Sequence, residues 1–249
     1  TLLQSSAASD VYKRQANAGG QNIAIGYATL KVADGGETGN VAIGTSTMDA
    51  VNNDGSDHNV AVGNYSLRGG TGLLARNIAI GHQSMDGTGA VDGSDNTFIG
   101  YQAGSGTWTN VASNQNVAIG NYSMDGALDG AGNNVAIGYQ VGSALTTADH
   151  NVMIGSQAGE NATTGGYSVI IGKDAGRYHY TANQNVLIGY SAGEYIGQGN
   201  TGAQHSVAIG KEAGKYATGS YNTFVGSSAG KGGTTSAPYS SGYNNTALG

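Results

Sequence analysis

The chain has no cysteine, one proline, one tryptophan and two phenylalanines in 249 residues, and only 10% of its residues are charged. Without cysteine it can form neither disulfides nor thiolate metal sites. The low charge sets it apart from charge-rich disordered tails. No run of about 18 apolar residues is present to cross a bilayer as a helix, so direct membrane insertion of this segment is not expected, and the N-terminus lacks the apolar core of a secretory signal. Cations are scarcest in the middle: Asn77 to Gly172 holds seven acidic residues (Asp86, Asp92, Asp95, Asp125, Asp129, Asp149, Glu160) and no Lys or Arg, within a formal net charge of −6. A nucleic acid partner is therefore not expected.

What the chain has in abundance is glycine, 45 residues, placed periodically. Collagen is excluded because glycine does not recur at every third position. Thirteen copies of the phrase Asn/Ser-[Val/Ile/Thr]-apolar-[Ile/Val/Leu]-Gly end at Gly26, Gly44, Gly63, Gly81, Gly100, Gly120, Gly138, Gly155, Gly172, Gly189, Gly210, Gly226 and Gly249. The spacings run from 16 to 23 residues. A fixed phrase with an elastic connector at this period predicts a solenoid, in which each unit packs on its neighbours and length sets rod length rather than domain number.

Within a phrase, Val117 and Ile119 fall on one face and Ala118 on the other, as a short strand requires. The β-branched pairs (Val41/Ile43, Val135/Ile137, Val152/Ile154, Val186/Ile188) are expected to form the inner core ladder. The middle position is Ala in eight copies and Phe98, Met153, Ile170, Leu187 or Phe224 in the others. Both faces are thus apolar, and a strand covered on both sides needs more than one narrow roll can supply. A second chain against the Ala face is the simplest cover, which predicts a homo-oligomer.

Asn opens eleven phrases (Asn22, Asn40, Asn59, Asn77, Asn96, Asn116, Asn134, Asn151, Asn185, Asn222, Asn245) and Ser the other two, Ser168 and Ser206. That suits a ladder of side-chain amides bonding the next coil's turn backbone. The third residue after the Gly is small in nearly every copy (Thr47, Ser66, Ser84, Ala103, Ala158), Val141 being the exception. The fourth divides the coils into two subfamilies: apolar in Leu30, Met48, Leu67, Met85 and Met124, and Gly in Gly104, Gly142, Gly159, Gly176, Gly193, Gly214 and Gly230. Asp-Gly pairs such as Asp34-Gly35, Asp86-Gly87 and Asp125-Gly126 are turn chemistry. Residues 1–16 carry no phrase and form a separate leader. The stretch SSAASDVYKRQ reads as translated sequencing-adaptor read-through or as a native polar leader, and with the final phrase at Asn245 to Gly249 it suggests a piece of a longer protein. The repeat domain covers residues 17–249.

The phrases Asn40-Val41-Ala42-Ile43-Gly44, Asn116 to Gly120, Asn134 to Gly138 and Ser206 to Gly210 resemble the head repeat of trimeric autotransporter adhesins. The variants Asn96 to Gly104 (NTFIGYQAG) and Asn185 to Gly193 (NVLIGYSAG) are similar to repeats of phage tail fibres and of large bacterial surface proteins that end in an endosialidase-type chaperone. The resemblance covers about residues 22 to 249. It implies an all-β, left-handed parallel β-roll of about thirteen coils, three chains side by side, in an extracellular fibre on a bacterial or virion surface. Its partner would be a glycan or protein receptor on a host cell or a bacterium. The units here are longer than the compact adhesin head repeat, and no neck, heptad stalk, membrane β-barrel or C-terminal chaperone falls within the chain.

No nucleophile motif, zinc-binding His pair or phosphate loop is present, so neither catalysis nor a cofactor is expected. His58, His150 and His205 each precede an opening Asn or Ser on different coils, too far apart within one chain to share a metal. The nonapeptide of calcium-binding rolls is absent. Thr45/Thr47 is the only close Thr-x-Thr of a strand or its turn, which leaves little for ice binding, and the acidic residues fall in turns rather than in pairs suited to polysaccharide hydrolysis. Recognition falls to aromatics in irregular loops, Trp108 and the run Tyr178, His179 and Tyr180, which either bind a ligand or cover coil edges. Tyr27, Tyr101, Tyr139 and Tyr190 directly follow the motif Gly and read as scaffold.

Overall fold

The computed structural model describes residues 20–33, 35–198, 203–233 and 242–249; the leader at 1–16, Asp34 and Pro238 lie outside the described residues. The chain is an all-β parallel solenoid. Each phrase contributes one three-residue strand: β1 Ile23–Ile25, β2 Val41–Ile43, β3 Val60–Val62, β4 Ile78–Ile80, β5 Thr97–Ile99, β6 Val117–Ile119, β7 Val135–Ile137, β8 Val152–Ile154, β9 Val169–Ile171, β10 Val186–Ile188, β11 Val207–Ile209, β12 Thr223–Val225 and β13 Thr246–Leu248. They form one sheet in chain order, every pair parallel and in register, so Val117 lies beside Val135 and Ala118 beside Ala136. No helix occurs among the described residues.

The structure inverts the expected facing of the strands. Ala42, Ala61, Ala79, Ala118 and Ala136 are fully buried, and so are Phe98, Met153, Ile170 and Leu187 at the same position. The β-branched residues on either side point outward and stay partly exposed. The reason lies in the opening Asn. It sits two residues before the middle position and so shares its face, and its side chain is drawn inside by a complete set of hydrogen bonds. Asn134 N–H and Nδ2 both donate to Asn116 Oδ1, at 3.1 and 3.0 Å. Asn134 Nδ2 also donates to the loop carbonyl of Ala148 at 2.7 Å. The amide column thus ties each strand start to the next coil's return loop, and strict alternation then sends Val and Ile outward.

Glycine ends each strand for a steric reason. Gly44 has φ of +138°, and a β-carbon there would lie 2.6 Å from the carbonyl oxygen of Gly63 on the next coil. After it comes a tight turn whose second and fourth residues have positive φ, as in Tyr122 (57°) and Met124 (49°). The hydroxyls at the third position bond the next strand, Thr47 Oγ1 donating to Gly63 O at 2.7 Å and Ser84 Oγ to Phe98 O at 2.9 Å.

The fourth position explains the two coil subfamilies. Its side chain enters the core beside the middle residue of the strand, and the two exchange volume. Small Ala42, Ala61, Ala79 and Ala118 accompany buried Met48, Leu67, Met85 and Met124. Large Phe98, Met153, Ile170, Leu187 and Phe224 accompany Gly104, Gly159, Gly176, Gly193 and Gly230. Where Ala136 and Ala208 meet Gly142 and Gly214, the following coil supplies the volume: a β-carbon on Gly142 would lie 2.8 Å from Met153 Cε, and one on Gly214 2.7 Å from Phe224 Cδ2. Val141, the exception to the small third position, is buried in one of these coils. Return loops close the core with Leu74, Trp108, Leu128 and Leu145.

Candidate functional site

Three exterior surfaces follow from this winding. The first is the outer sheet face, two positions in each of thirteen strands, all Val, Ile or Leu except Thr97, Thr223 and Thr246. It carries no charge or amide, and at the usual interstrand spacing it runs for roughly 60 Å. Stacked neighbours cover part of each side chain, yet Ile78, Ile80, Ile119 and Ile209 remain exposed.

The second surface is a charge ladder at the fifth residue after the motif Gly. Arg68 Nε lies 3.3 Å from Asp86 Oδ1, Arg177 Nε 2.5 Å from Glu160 Oε2 and Lys215 Nζ 3.0 Å from Glu194 Oε2. Alternating signs on successive coils favour this register over a slipped one. Asp125 lies between Ser105 and Ser143 in this column, without a cation on either neighbouring coil, and burial pushes its carboxyl up to about 6. Beside the ladder, Tyr178, Tyr195 and Tyr216 stack at 4.9 and 5.1 Å. Arg177 lies over Tyr178 and Lys215 over Tyr216, each 5.6 Å from the ring centre.

The recognition residues expected from sequence divide here. Tyr178 and Tyr180 are half-buried on this surface, their rings 6.4 Å apart. Trp108 is a correction: it is 3% exposed and belongs to the core. Its ring meets Phe98 edge-on at 6.1 Å and its Nε1 donates to Gly104 O at 3.2 Å, because the missing side chain at Gly104 leaves room above Phe98. His179, between the two tyrosines, is a second correction: it is fully buried and not open to a ligand. Its Nε2 lies 3.2 Å from Asn185 Nδ2, where Ser168 is too short to continue the amide column. Burial holds its imidazole down at about 4, so the ring is neutral and accepts that bond.

The third surface borders the outer sheet face, at the first and second residues after the motif Gly. Over the five coils that follow β3 to β7, each turn presents one aromatic ring and one carboxamide: Asn64 and Tyr65, then His82 and Gln83, then Tyr101 and Gln102, then Asn121 and Tyr122, then Tyr139 and Gln140. The rings follow one another at 6.0, 5.4, 5.3 and 6.0 Å, His82 stacked on Tyr101 and the other pairs edge-to-face. Tyr101 is 40% and Tyr139 48% exposed. Reading tyrosine at the first position alone takes in Tyr101 and Tyr139 but misses Tyr65 and Tyr122 at the second position, and His82, which is not a tyrosine. The signal was an aromatic alternating between two adjacent positions.

No protein-family model, curated protein or solved structure matches this chain. Its surfaces therefore stand on their own geometry. Among the described residues no three His, Cys, Asp or Glu side chains come together as metal ligands. His150 and His205 stack on Tyr167 and Tyr221, each at 4.9 Å. The turn carboxylates take backbone partners: Asp92 Oδ1 accepts from Leu73 N–H at 2.7 Å and Asp129 Oδ1 from Val111 N–H at 2.9 Å.

Proposed function

We propose that this chain is a segment of an extracellular adhesive or receptor-binding fibre, a bacterial adhesin head or a virion tail fibre. Three copies lie side by side, each a left-handed roll of about thirteen coils, and the segment works by attachment rather than catalysis. The observation that carries this reading is the outer sheet face: an uncharged strip of mostly aliphatic side chains with the length of the whole sheet, whereas exposed aliphatics elsewhere among the described residues, such as Val32 and Val111, are scattered. A strip of this size on an isolated chain is an aggregation hazard. Copies of the same strip, regular at every coil, are the cover that matches it in length and pitch. The Val/Ile face, rather than the Ala face expected from sequence, is thus the contact between copies. A host-cell or bacterial glycan or protein receptor is then met by the side surfaces, and the resemblance of the repeats to adhesin heads and tail fibres supports an attachment role.

A structural spacer without a ligand is the second reading. Burial of Trp108 and His179 favours it, since it removes two of four expected recognition residues from the surface. Attachment of the purified fibre to target cells separates the two. Binding lost with Tyr178→Ala and Tyr180→Ala supports the adhesive reading, and absence of any attachment by the intact oligomer supports the spacer.

A further inference from the structure

We propose that the aromatic and carboxamide ridge beside β3 to β7 is a binding track for an extended neutral polysaccharide, lying parallel to the rod axis. This rests on the reading of the chain as a receptor-binding fibre and adds to it a further site, separate from Tyr178 and Tyr180, with its ligand class. Sugar rings present apolar C–H faces that pack on aromatic rings, and hydroxyls that both give and take hydrogen bonds. Each of five consecutive coils supplies one ring and one carboxamide, Gln102 Nε2 also donating to Gln83 Oε1 at 3.0 Å and Gln83 Nε2 to Asp86 Oδ2 at 3.3 Å, and the coils before and after lack the ring: Thr45 and Ser46 precede the run, and Ser156 and Gln157 follow it.

The spacing suits a linear polymer. One ring per coil, 5.3 to 6.0 Å from the next, is close to the advance of one sugar per residue in an extended β-linked hexose chain. The edge-to-face contacts of Tyr122 with Tyr101 and Tyr139 fix the rings before a ligand arrives, which reduces the ordering cost of binding. The amides are oriented as well. Asn64 Oδ1 accepts from Thr45 N–H at 3.1 Å and Asn121 Oδ1 from Tyr101 N–H at 3.0 Å. No described group accepts from their Nδ2 donors, which are left for sugar hydroxyls. Charge beyond the first coil, where Arg68 lies 5.9 Å over the Tyr65 ring, selects against acidic polymers: from Asn77 to Gly172 the sequence has seven carboxylates and no Lys or Arg, so a polyanion would be repelled there.

The test is calorimetric titration of the whole chain with three soluble neutral hexaoses: β-1,4-linked glucose, β-1,4-linked mannose and β-1,3-linked glucose. At least one is expected to bind, with affinity falling at least about tenfold in a Tyr101→Ala/Tyr139→Ala variant, the loss of two stacking platforms, and staying unchanged in Tyr195→Ala, three coils beyond the end of the ridge. Both ridge side chains are exposed, and circular dichroism checks that the variant keeps its fold. Silence towards all three hexaoses, or undiminished binding by the double variant, overturns the proposal. So does a fall in oligomer mass in that variant, which assigns the ridge to the seam between copies. An oligomeric fibre that attaches to cells but ignores the hexaoses removes this inference alone. A monomer that attaches to nothing removes the surface-fibre reading and this inference with it.

Discussion

The ring of Phe98 occupies the space a side chain at Gly104 would need: a β-carbon on Gly104 would lie 2.8 Å from Phe98 Cδ1. One coil further on the same two positions are Ala118 and Met124, both fully buried. Volume is therefore conserved between the middle of a strand and the left-handed fourth residue of its turn, as close packing demands. Gly104→Met alone should cost about 3 kcal/mol through overpacking and strain at positive φ. Phe98→Ala alone should cost about 3–5 kcal/mol. The double variant restores the pairing of the β6 coil and should recover most of both losses. Urea unfolding of the four chains measures the coupling, which should exceed about 2 kcal/mol in favour of the pair.

The amide column makes each Asn a link between two coils. Asn116→Ala would leave the buried N–H of Asn134 and the carbonyl of Ala131 without their partners. Each unmatched buried group costs about 1–3 kcal/mol, so a loss of at least about 2 kcal/mol is expected. Asn116→Ser should be milder, because Ser168 serves natively at the same position and its Oγ accepts from Asn185 N–H at 3.1 Å. Thermal unfolding of the two variants checks the order.

His179 predicts an acid sensitivity. Its imidazole is held at about 4 by burial, below the usual value of 6.5, so between those values the unfolded chain binds the proton and the folded chain does not. Stability rises with pH in that window and its contribution is complete above about pH 6.5. Acidification from 6.5 to 4 should therefore cost on the order of 3 kcal/mol from this residue. The loss should be absent from His179→Gln when both chains are unfolded by urea at the two pH values.

Aromatic substitutions should separate core from surface. Trp108→Ala opens a cavity against Phe98 and should destabilise the chain by about 3–5 kcal/mol. Tyr178→Ala and Tyr180→Ala should leave stability within about 1 kcal/mol, since both rings are half-buried, and abolish cell attachment. Unfolding midpoints and an attachment assay on the same preparations give both readouts.

The repeat made the strands legible: every described strand is the three residues before a motif glycine. The facing of those strands was not legible from the phrase alone. Val and Ile look like a core and Asn like a surface residue, and only a continuous column of amides makes it favourable to bury Asn116 and expose Ile119. The two coil subfamilies were visible as Gly104 against Met124. Their cause was not, because the compensating residue lies six positions earlier in Phe98 or, for Gly142, on the next coil in Met153. Trp108 was misplaced for the same reason: its loop returns to fill a gap that exists only once the coils stack.

The most direct measurement is the absolute mass of the purified chain by light scattering, alongside an Ile119→Lys/Ile137→Lys variant. Burial of the outer sheet face between copies predicts an oligomer at three times the 24.8 kDa chain mass, reduced to monomer when two lysines enter the strip. A soluble monomer of the unaltered chain, or an oligomer indifferent to the lysines, would contradict the account.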